Sequence, residues 1–401
     1  VTPQTQAILD RANAVLIGNY ARSPHVMVRG QGAEVWDSDD KHYIDLFAGF
    51  GGCILGHAHP ALIAAAADQA QRLWHVGNTY HTLPQIELAE RLNRTAFTGQ
   101  AFFCHSGAEA NEAACKLARL VGQNSTPHRW KIITLDKSFH GRTLAMISAT
   151  GNPAVRAGFA PDVPGFIHIP PGDLAALADA ADPETAAIMI EPIQGEGGIN
   201  LHPPGYIQQV RKLCDERNIL LIFDEVWTGC GRTGRWFGYQ HFDTIAPDIM
   251  TLGKAIGGGL PVGVMFARPQ LAKALVPGKH GCTLGGNPIC MSVARALFDV
   301  IERDNLLEHA ATLGEETMAR LRRDPSIADR ISEVRGRGLF IGVELKKPPT
   351  KLLETALDNG VIVNLTAQKV VRLAPPINIG KDLLADGVER VIKTIATVQP
   401  A

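Results

Sequence analysis

The sequence predicts an α/β protein with a large, mostly parallel sheet and a smaller α+β part. Three observations carry this. Apolar runs of four to six residues alternate with helical stretches through the middle of the chain. The runs are apolar at consecutive positions, as strands covered on both faces are. Polar residues stand where the runs stop, and open α/β sheets bind ligands at the carboxyl ends of their strands.

Taken in order, Val26–Val28 and Glu34–Trp36 read as short strands near the start. Ala101–Cys104 is the first buried strand, followed by a helix from Glu109 to about Val121, rich in Ala, Glu, Lys and Leu. Lys131–Leu135 and Ala187–Ile190 are further strands. A helix over Tyr206–Arg217 leads into strand Ile219–Phe223, and Ile249–Leu252 and Val262–Ala267 complete the set. Helical crossovers between parallel strands are right-handed. Beyond Asn287 the pattern changes to long helices, with strands over Gly336–Glu344 and Val370–Leu373. The expected division is a large α/β body over 61–286 and a small α+β body built from 1–60 and 287–401.

At roughly 100–200 residues per domain, 401 residues suggest two or three domains. Hydrophobic residues make up 45% and charged residues 20%, which is the composition of a globular protein. Lys and Arg number 39 against 40 Asp and Glu, with no like-charge block, so neither a nucleic-acid nor a membrane-surface partner is expected. Seven cysteines at wide spacings, without C-x-x-C, point to reduced thiols and a cytoplasmic setting. Val1–Leu9 lacks a basic region followed by an apolar run, so no signal peptide is expected.

Several strand ends carry candidate chemistry. Lys254 follows Ile249–Leu252 among glycines; burial there disfavours its charged form, and a neutral amine attacks aldehydes. The bland alternative is a surface lysine near a turn. Asp224 ends its strand, where a carboxylate suits a protonated pyridine ring or serves as a helix cap. Ser106-Gly107-Ala108 opens a helix, as a phosphate seat or a plain N-cap. In Phe139-His140-Gly141-Arg142, Phe139 suits a planar ligand and Arg142 a carboxylate, or both belong to an ordinary loop. Glu191 and Glu196 stand five apart across a turn. Paired acids suggest glycoside hydrolysis only weakly. Gly229-Cys230-Gly231-Arg232-Thr233-Gly234 matches G-x-G-x-x-G, but no acid-ended strand follows about 20 residues later, against a nicotinamide oxidoreductase. His57-Ala58-His59 lacks a third ligand at zinc spacing; capping histidines in a turn are expected instead, and no metal.

Taken together, the chain resembles the class III aminotransferases, which depend on pyridoxal 5′-phosphate (PLP). The likeness runs from Gly18-Asn19-Tyr20 to Pro375-Pro376. It rests on Ser106-Gly107-Ala108-Glu109-Ala110-Asn111-Glu112, Phe139-His140-Gly141-Arg142-Thr143, Glu191 to Gly198, Asp224-Glu225-Val226, Gly231-Arg232-Thr233-Gly234, Leu252-Gly253-Lys254 and Gly285-Gly286-Asn287-Pro288. It implies a PLP-transferase fold of type I, aspartate aminotransferase-like.

By the same resemblance, Lys254 holds PLP as a Schiff base and shuttles the proton, and Asp224 pairs with the ring nitrogen. Val226 and Phe139 flank the ring, with His140 and Trp227 beside it. Ser106, Gly107 and Ala108 seat the phosphate together with Thr283 of the partner subunit in a homodimer. On the substrate side stand Tyr20, Phe50, Arg142, Glu196, Cys282 and Arg372. Arg142 takes the α-carboxylate. Glu196 and Arg372 form a switch, closed for a neutral or cationic side chain and open for the distal carboxylate of glutamate. The implied reaction is a ping-pong transfer from N2-acetylornithine to 2-oxoglutarate, with ornithine, succinylornithine, 4-aminobutyrate and lysine-type donors as alternatives. A PLP lyase, decarboxylase or mutase is a rival chemistry, and a non-catalytic protein on this fold a rival class. The chain departs from the family at Trp227, where glutamine is usual, at Cys282, where serine or threonine is usual, and over Cys53-Ile54-Leu55-Gly56.

Overall fold

In the computed structural model, which describes residues 2–243 and 245–401, the middle of the chain forms a seven-stranded sheet. The strand order is Gln100–Cys104, Gly263–Ala267, Ile249–Leu252, Leu220–Asp224, Thr185–Ile190, Lys131–Leu135 and Phe166–Ile169. From Ile249–Leu252 to Phe166–Ile169 every pairing is parallel. Thr185–Ile190 is buried at every position, the result of being covered on both faces.

Two strands of this sheet differ from the sequence expectation. Gly263–Ala267 runs antiparallel to both neighbours. Only residues 253–262, with one short 3-10 turn at Lys254–Gly257, separate it from Ile249–Leu252. A parallel return needs a longer crossover. Phe166–Ile169 was not expected; it is the edge strand, only partly covered at its first three positions, and so lacks the buried signature.

Helix Gly107–Gly122 begins with Ser106 as its N-cap and buries Ala110, Ala113, Ala114, Leu117 and Ala118. Alanines bring its axis close to strands Gly263–Ala267 and Ile249–Leu252, against which it packs. Helix Tyr206–Arg217 matches its expected range and stops at Asn218, which adopts the left-handed region with φ 52°.

The two ends of the chain meet. Met27–Gln31, Glu34–Asp37 and His42–Asp45 form an antiparallel meander, and Val361–Ile362 pairs parallel with His42–Asp45. A second four-stranded sheet contains Ile331–Arg337, Phe340–Leu345, Val370–Leu373 and Asn364–Thr366 in that order. The single strand expected over Gly336–Glu344 is therefore a hairpin. It turns at Gly338, where a positive φ of 53° suits glycine. Val370–Leu373 falls where expected.

Gly263 ties the antiparallel strand to the helix start. A Cβ there would lie 2.1 Å from the carbonyl oxygen of Ser106. Gly263→Ala is expected to destabilise the fold by about 1–3 kcal/mol through overpacking. Urea unfolding checks this, and unchanged stability would mean that the approach is relaxed in solution.

Candidate active site

Strand Leu220–Asp224 delivers Asp224 to its carboxyl end, only 3% exposed. A carboxylate so placed needs hydrogen-bond partners. Oδ2 accepts from Asn111 Nδ2 at 2.8 Å and lies 2.8 Å from His140 Nδ1, while Oδ1 accepts from the Val226 amide at 3.0 Å. Asn111 also donates to the His140 carbonyl at 2.8 Å, and its own oxygen accepts from the Thr251 hydroxyl at 2.6 Å. One residue thereby joins the helix, two strand ends and the loop after Lys131–Leu135.

Lys254 follows the next strand. Preceding it, Gly253 leaves no space for a side chain: a Cβ would lie 2.9 Å from both Cα and N of Gly107. The strand end and the helix start are thus in direct backbone contact. Lys254 itself has a positive φ of 45°. Desolvation lowers its pKa to about 8 against the attraction of Glu196 and Asp224. Among the described residues, its Nζ has no hydrogen-bond or ion-pair partner.

Ser106 spends its hydroxyl on the helix cap. It accepts from the Glu109 amide at 3.2 Å and donates to Glu109 Oε2 at 3.0 Å. The amides of Gly107 and Ala108 lie in the first turn, where no intrahelical acceptor exists. Gly107 packs on Val226, whose Cγ2 would be 2.6 Å from a Cβ at that position.

A second group of residues surrounds Glu196. Its Oε1 pairs with Arg372 Nη1 at 2.9 Å and accepts from Trp227 Nε1 at 3.3 Å. Arg372 is completely buried, and its Nη2 donates to Asn364 Oδ1 at 2.8 Å. Burial pulls the guanidinium pKa down. The Trp227 ring centre lies 4.3 Å from Lys254 Nζ and 4.4 Å from Arg372 Cζ. This indole therefore links the lysine to the ion pair.

Phe139, Arg142 and Glu196 line one cavity of about 530 Å³. Arg142 is exposed, with its guanidinium carbon 5.4 Å from the Phe139 ring centre. Glu191 is held by the amides of Phe139 and Gly195 at 3.0 and 2.9 Å, and burial raises its pKa.

The remaining sequence candidates lie farther out. Phe50 is 54% exposed and packs edge-on against Phe47, itself 5.3 Å from the Arg372 guanidinium carbon. Tyr20 is 69% exposed and meets Arg22. Thr283 is exposed, and Cys282 Sγ lies 3.5 Å from His105 Nδ1, beside the helix cap. The glycine-rich Gly229–Gly234 stretch opens no α-helix; its Arg232 donates to the carbonyls of Leu339 and Pro375. His57 bonds Asp45 at 2.9 Å, and His59 precedes its helix without a side-chain cap bond, so neither histidine side chain caps as expected. Sequence reasoning missed Asn111, Thr251 and Asn364. Asn111 stands inside a family motif, but nothing local marks its role; the other two carry no local signal at all.

The family model of the class III aminotransferases matches residues 18–395. The acetylornithine aminotransferase of Myxococcus xanthus is 45% identical over 377 residues, 93% of each chain. That of Methanothermobacter thermautotrophicus is 43% identical, covering 94% of this chain and 95% of its own. Among solved structures, the ornithine aminotransferase of Toxoplasma gondii, with PLP at partial occupancy, superposes with a TM-score of 0.93 at 33% identity. It covers 98% of this chain and 94% of its own. The acetylornithine aminotransferase of Elizabethkingia anophelis superposes at 0.86, with 32% identity and 98% of both chains. The fold is thus that of the PLP-dependent aminotransferases of type I, as the resemblance implied. The chain belongs to the class III aminotransferase family.

Replacing Asn111 tests the geometry around Asp224 directly. Asn111→Ala leaves the Thr251 hydroxyl and the His140 carbonyl without this partner and removes one donor from Asp224. A loss of about 1–3 kcal/mol in unfolding free energy is expected. A variant as stable as wild type in urea would show that water replaces the amide.

Proposed function

We propose that the protein transfers the terminal amino group of N2-acetylornithine to 2-oxoglutarate, using PLP held at Lys254. The observation that carries this is Lys254 itself: an amine at a strand end that, among the described residues, has no hydrogen-bond or ion-pair partner, with its pKa lowered to about 8 by desolvation. A neutral amine is the nucleophile that such chemistry requires.

The surrounding residues fit the cofactor. Asp224, gripped by Asn111, would pair with the ring nitrogen, with His140 beside it. The cradle of Gly107 against Val226, which a Cβ would fill, supports Val226 on one ring face; Phe139, lining the cavity with Arg142 and Glu196, would cover the other. The amides of Gly107 and Ala108 would hold the phosphate at the helix start, with Ser106 as cap and the partner subunit's Thr283 opposite. When bound, PLP supplies an electrophilic aldehyde carbon and a protonated ring that withdraws electrons from the reacting carbon.

The chain's own residues do the rest. Arg142, beside Phe139, would take the substrate α-carboxylate bidentately. Lys254 Nζ, in its neutral form, would accept the proton from the donor carbon and pass it to the cofactor. Glu196 on Arg372 hides a buried cation from a neutral or cationic donor side chain. Release of that pair would give Arg372 to the distal carboxylate of 2-oxoglutarate. Tyr20, Phe50, Cys282 and Trp227 would shape the substrate side.

Relatives with this activity at 43% and 45% identity favour acetylornithine as donor. Ornithine is the second reading, supported by the T. gondii enzyme's TM-score of 0.93. The division into bodies 61–286 and 1–60 with 287–401 belongs to the same proposal; pairing of Val361–Ile362 with His42–Asp45 supports it. So does a homodimer: Trp74, Tyr80 and Leu83 leave apolar surface exposed, and Asn78 bonds the carbonyls of Cys282 and Gly285 next to Thr283. No helix among the described residues is long and apolar enough to cross a membrane. The seven free cysteines support a reducing, cytoplasmic setting.

The yellow absorption of the purified protein should disappear with acetylornithine and return with 2-oxoglutarate. Persistence of the band with acetylornithine and its loss with ornithine would transfer the assignment to the second reading. Reconstitution of cofactor-free protein with PLP should accelerate with pH around a midpoint of about 8, because desolvation lowers the lysine below its ordinary value and only its neutral form attacks. A midpoint near 10 would mean that the amine is hydrated.

A further inference from the structure

Trp227 stands between three groups that the proposed reaction needs, so any role it plays in that reaction rests on the aminotransferase reading. Its Nε1 donates to the same Glu196 oxygen that pairs with Arg372. Its ring lies against the Arg372 guanidinium and close to Lys254 Nζ. The indole is held on its other sides as well. It stacks on Phe340 with ring centres 5.2 Å apart and planes 17° apart. A Cβ on Gly51 or Gly195 would lie 2.6 or 2.5 Å from it, so both positions leave it room. Trp227 is 5% exposed and belongs to an apolar cluster with Phe47 and Ile193. It has little freedom to turn aside.

The indole acts on both members of the ion pair. Its π face stabilises a guanidinium that is withdrawn from water, and stacking suits the planar cation. Glu196 gains a second donor, and moving it away from Arg372 would leave a buried indole N–H unpaired. The indole and the salt bridge therefore favour the same position of Glu196. An indole offers one donor and no acceptor, so it holds a carboxylate but cannot bond the guanidinium in exchange.

We propose that Trp227 is a positioning residue that locks Glu196 onto Arg372. The lock sets the site for a donor with a neutral or cationic side chain. A dicarboxylate must break the Trp227–Glu196 bond before Arg372 can receive it. Trp227 thus sets the balance between the two half-reactions, favouring the amine donor over 2-oxoglutarate.

The test uses holoenzyme with Trp227→Phe and Trp227→Gln. Phe keeps a ring over Arg372 but loses the N–H; Gln removes the ring. Glutarate, a dicarboxylate without amino or keto group, is titrated into each, and both half-reactions are followed in single turnovers. Losing a hydrogen bond to a charged group at the long distance seen here should tighten glutarate binding about tenfold in Trp227→Phe. The kcat/KM for 2-oxoglutarate should rise while that for acetylornithine falls. Trp227→Gln, which keeps an N–H donor but loses the ring over Arg372, should move both in the same directions. A residue that only fills space would lower both half-reactions together, and that result, or unchanged glutarate affinity, overturns the proposal. If Trp227→Gln fails to fold, Trp227→Phe decides alone. Wild-type enzyme that neither binds glutarate nor reacts with 2-oxoglutarate would instead remove the transaminase reading. Wild type that binds glutarate, with variants that bind it no better, removes only the lock.

Discussion

A carboxylate buried at the end of a central strand is the constraint on which the site depends. Asp224 has almost no access to water, and an unpartnered charge there would cost several kcal/mol. Its partners come from a helix more than a hundred residues earlier, from the loop after Lys131–Leu135 and from its own turn. Asn111 then binds Thr251, at the end of the strand that leads to Lys254. Satisfying one acid therefore fixes the relative positions of the lysine, the helix start and the Phe139–Arg142 loop. Backbone contacts finish the work: Gly253 against Gly107, and Gly107 against Val226, bring the strand ends closer than any side chain would permit.

The ion pair is built differently. Arg372 comes from Val370–Leu373 in the C-terminal sheet, and Glu196 from the turn after Thr185–Ile190. The sheet ends and the C-terminal part are tied together elsewhere by Arg232, a buried guanidinium that donates to the carbonyls of Leu339 and Pro375. Burial lowers its pKa to about 9. Such a cation holds two segments only while both carbonyls stay in place, because a buried charge without them is costly. The geometry of Glu196 on Arg372 thus inherits its accuracy from contacts outside the pocket.

Much of this was legible in the sequence, for physical reasons that can be named. Lys131–Leu135 and Ile249–Leu252 stand where the sequence places them, because strands covered on both faces read as mostly apolar, β-rich runs; Val370–Leu373 does so too, although it carries Arg372. Phe166–Ile169 escaped because an edge strand is only half covered. The hairpin at Gly338 read as one strand because its two arms are both β-rich, and only the left-handed glycine separates them. The direction of Gly263–Ala267 is a property of the connection before it rather than of its own residues. Lys254 and Asp224 announced themselves by ending apolar runs. Asn111, Thr251 and Asn364 did not, because their roles exist only through partners brought together by the fold, such as the 140 residues between Asn111 and Thr251.

The position of Trp227 explains how these two constructions act on one reaction. Lys254, Asp224 and Gly107 belong to the ends of the parallel sheet, and Arg372 and Asn364 to the C-terminal sheet. Substitutions in the second set can change which side chain is accepted without disturbing the first, where the charges and backbone contacts leave little tolerance. Trp227 follows Asp224 by three residues, so its backbone belongs to the first set. Its side chain reaches Glu196 and Arg372 in the second. A residue in that place links the geometry of the sheet end to the ion pair proposed to select the substrate. Its ring also lies 4.3 Å from Lys254 Nζ, so the proposed lock and the proposed Schiff-base lysine share one indole.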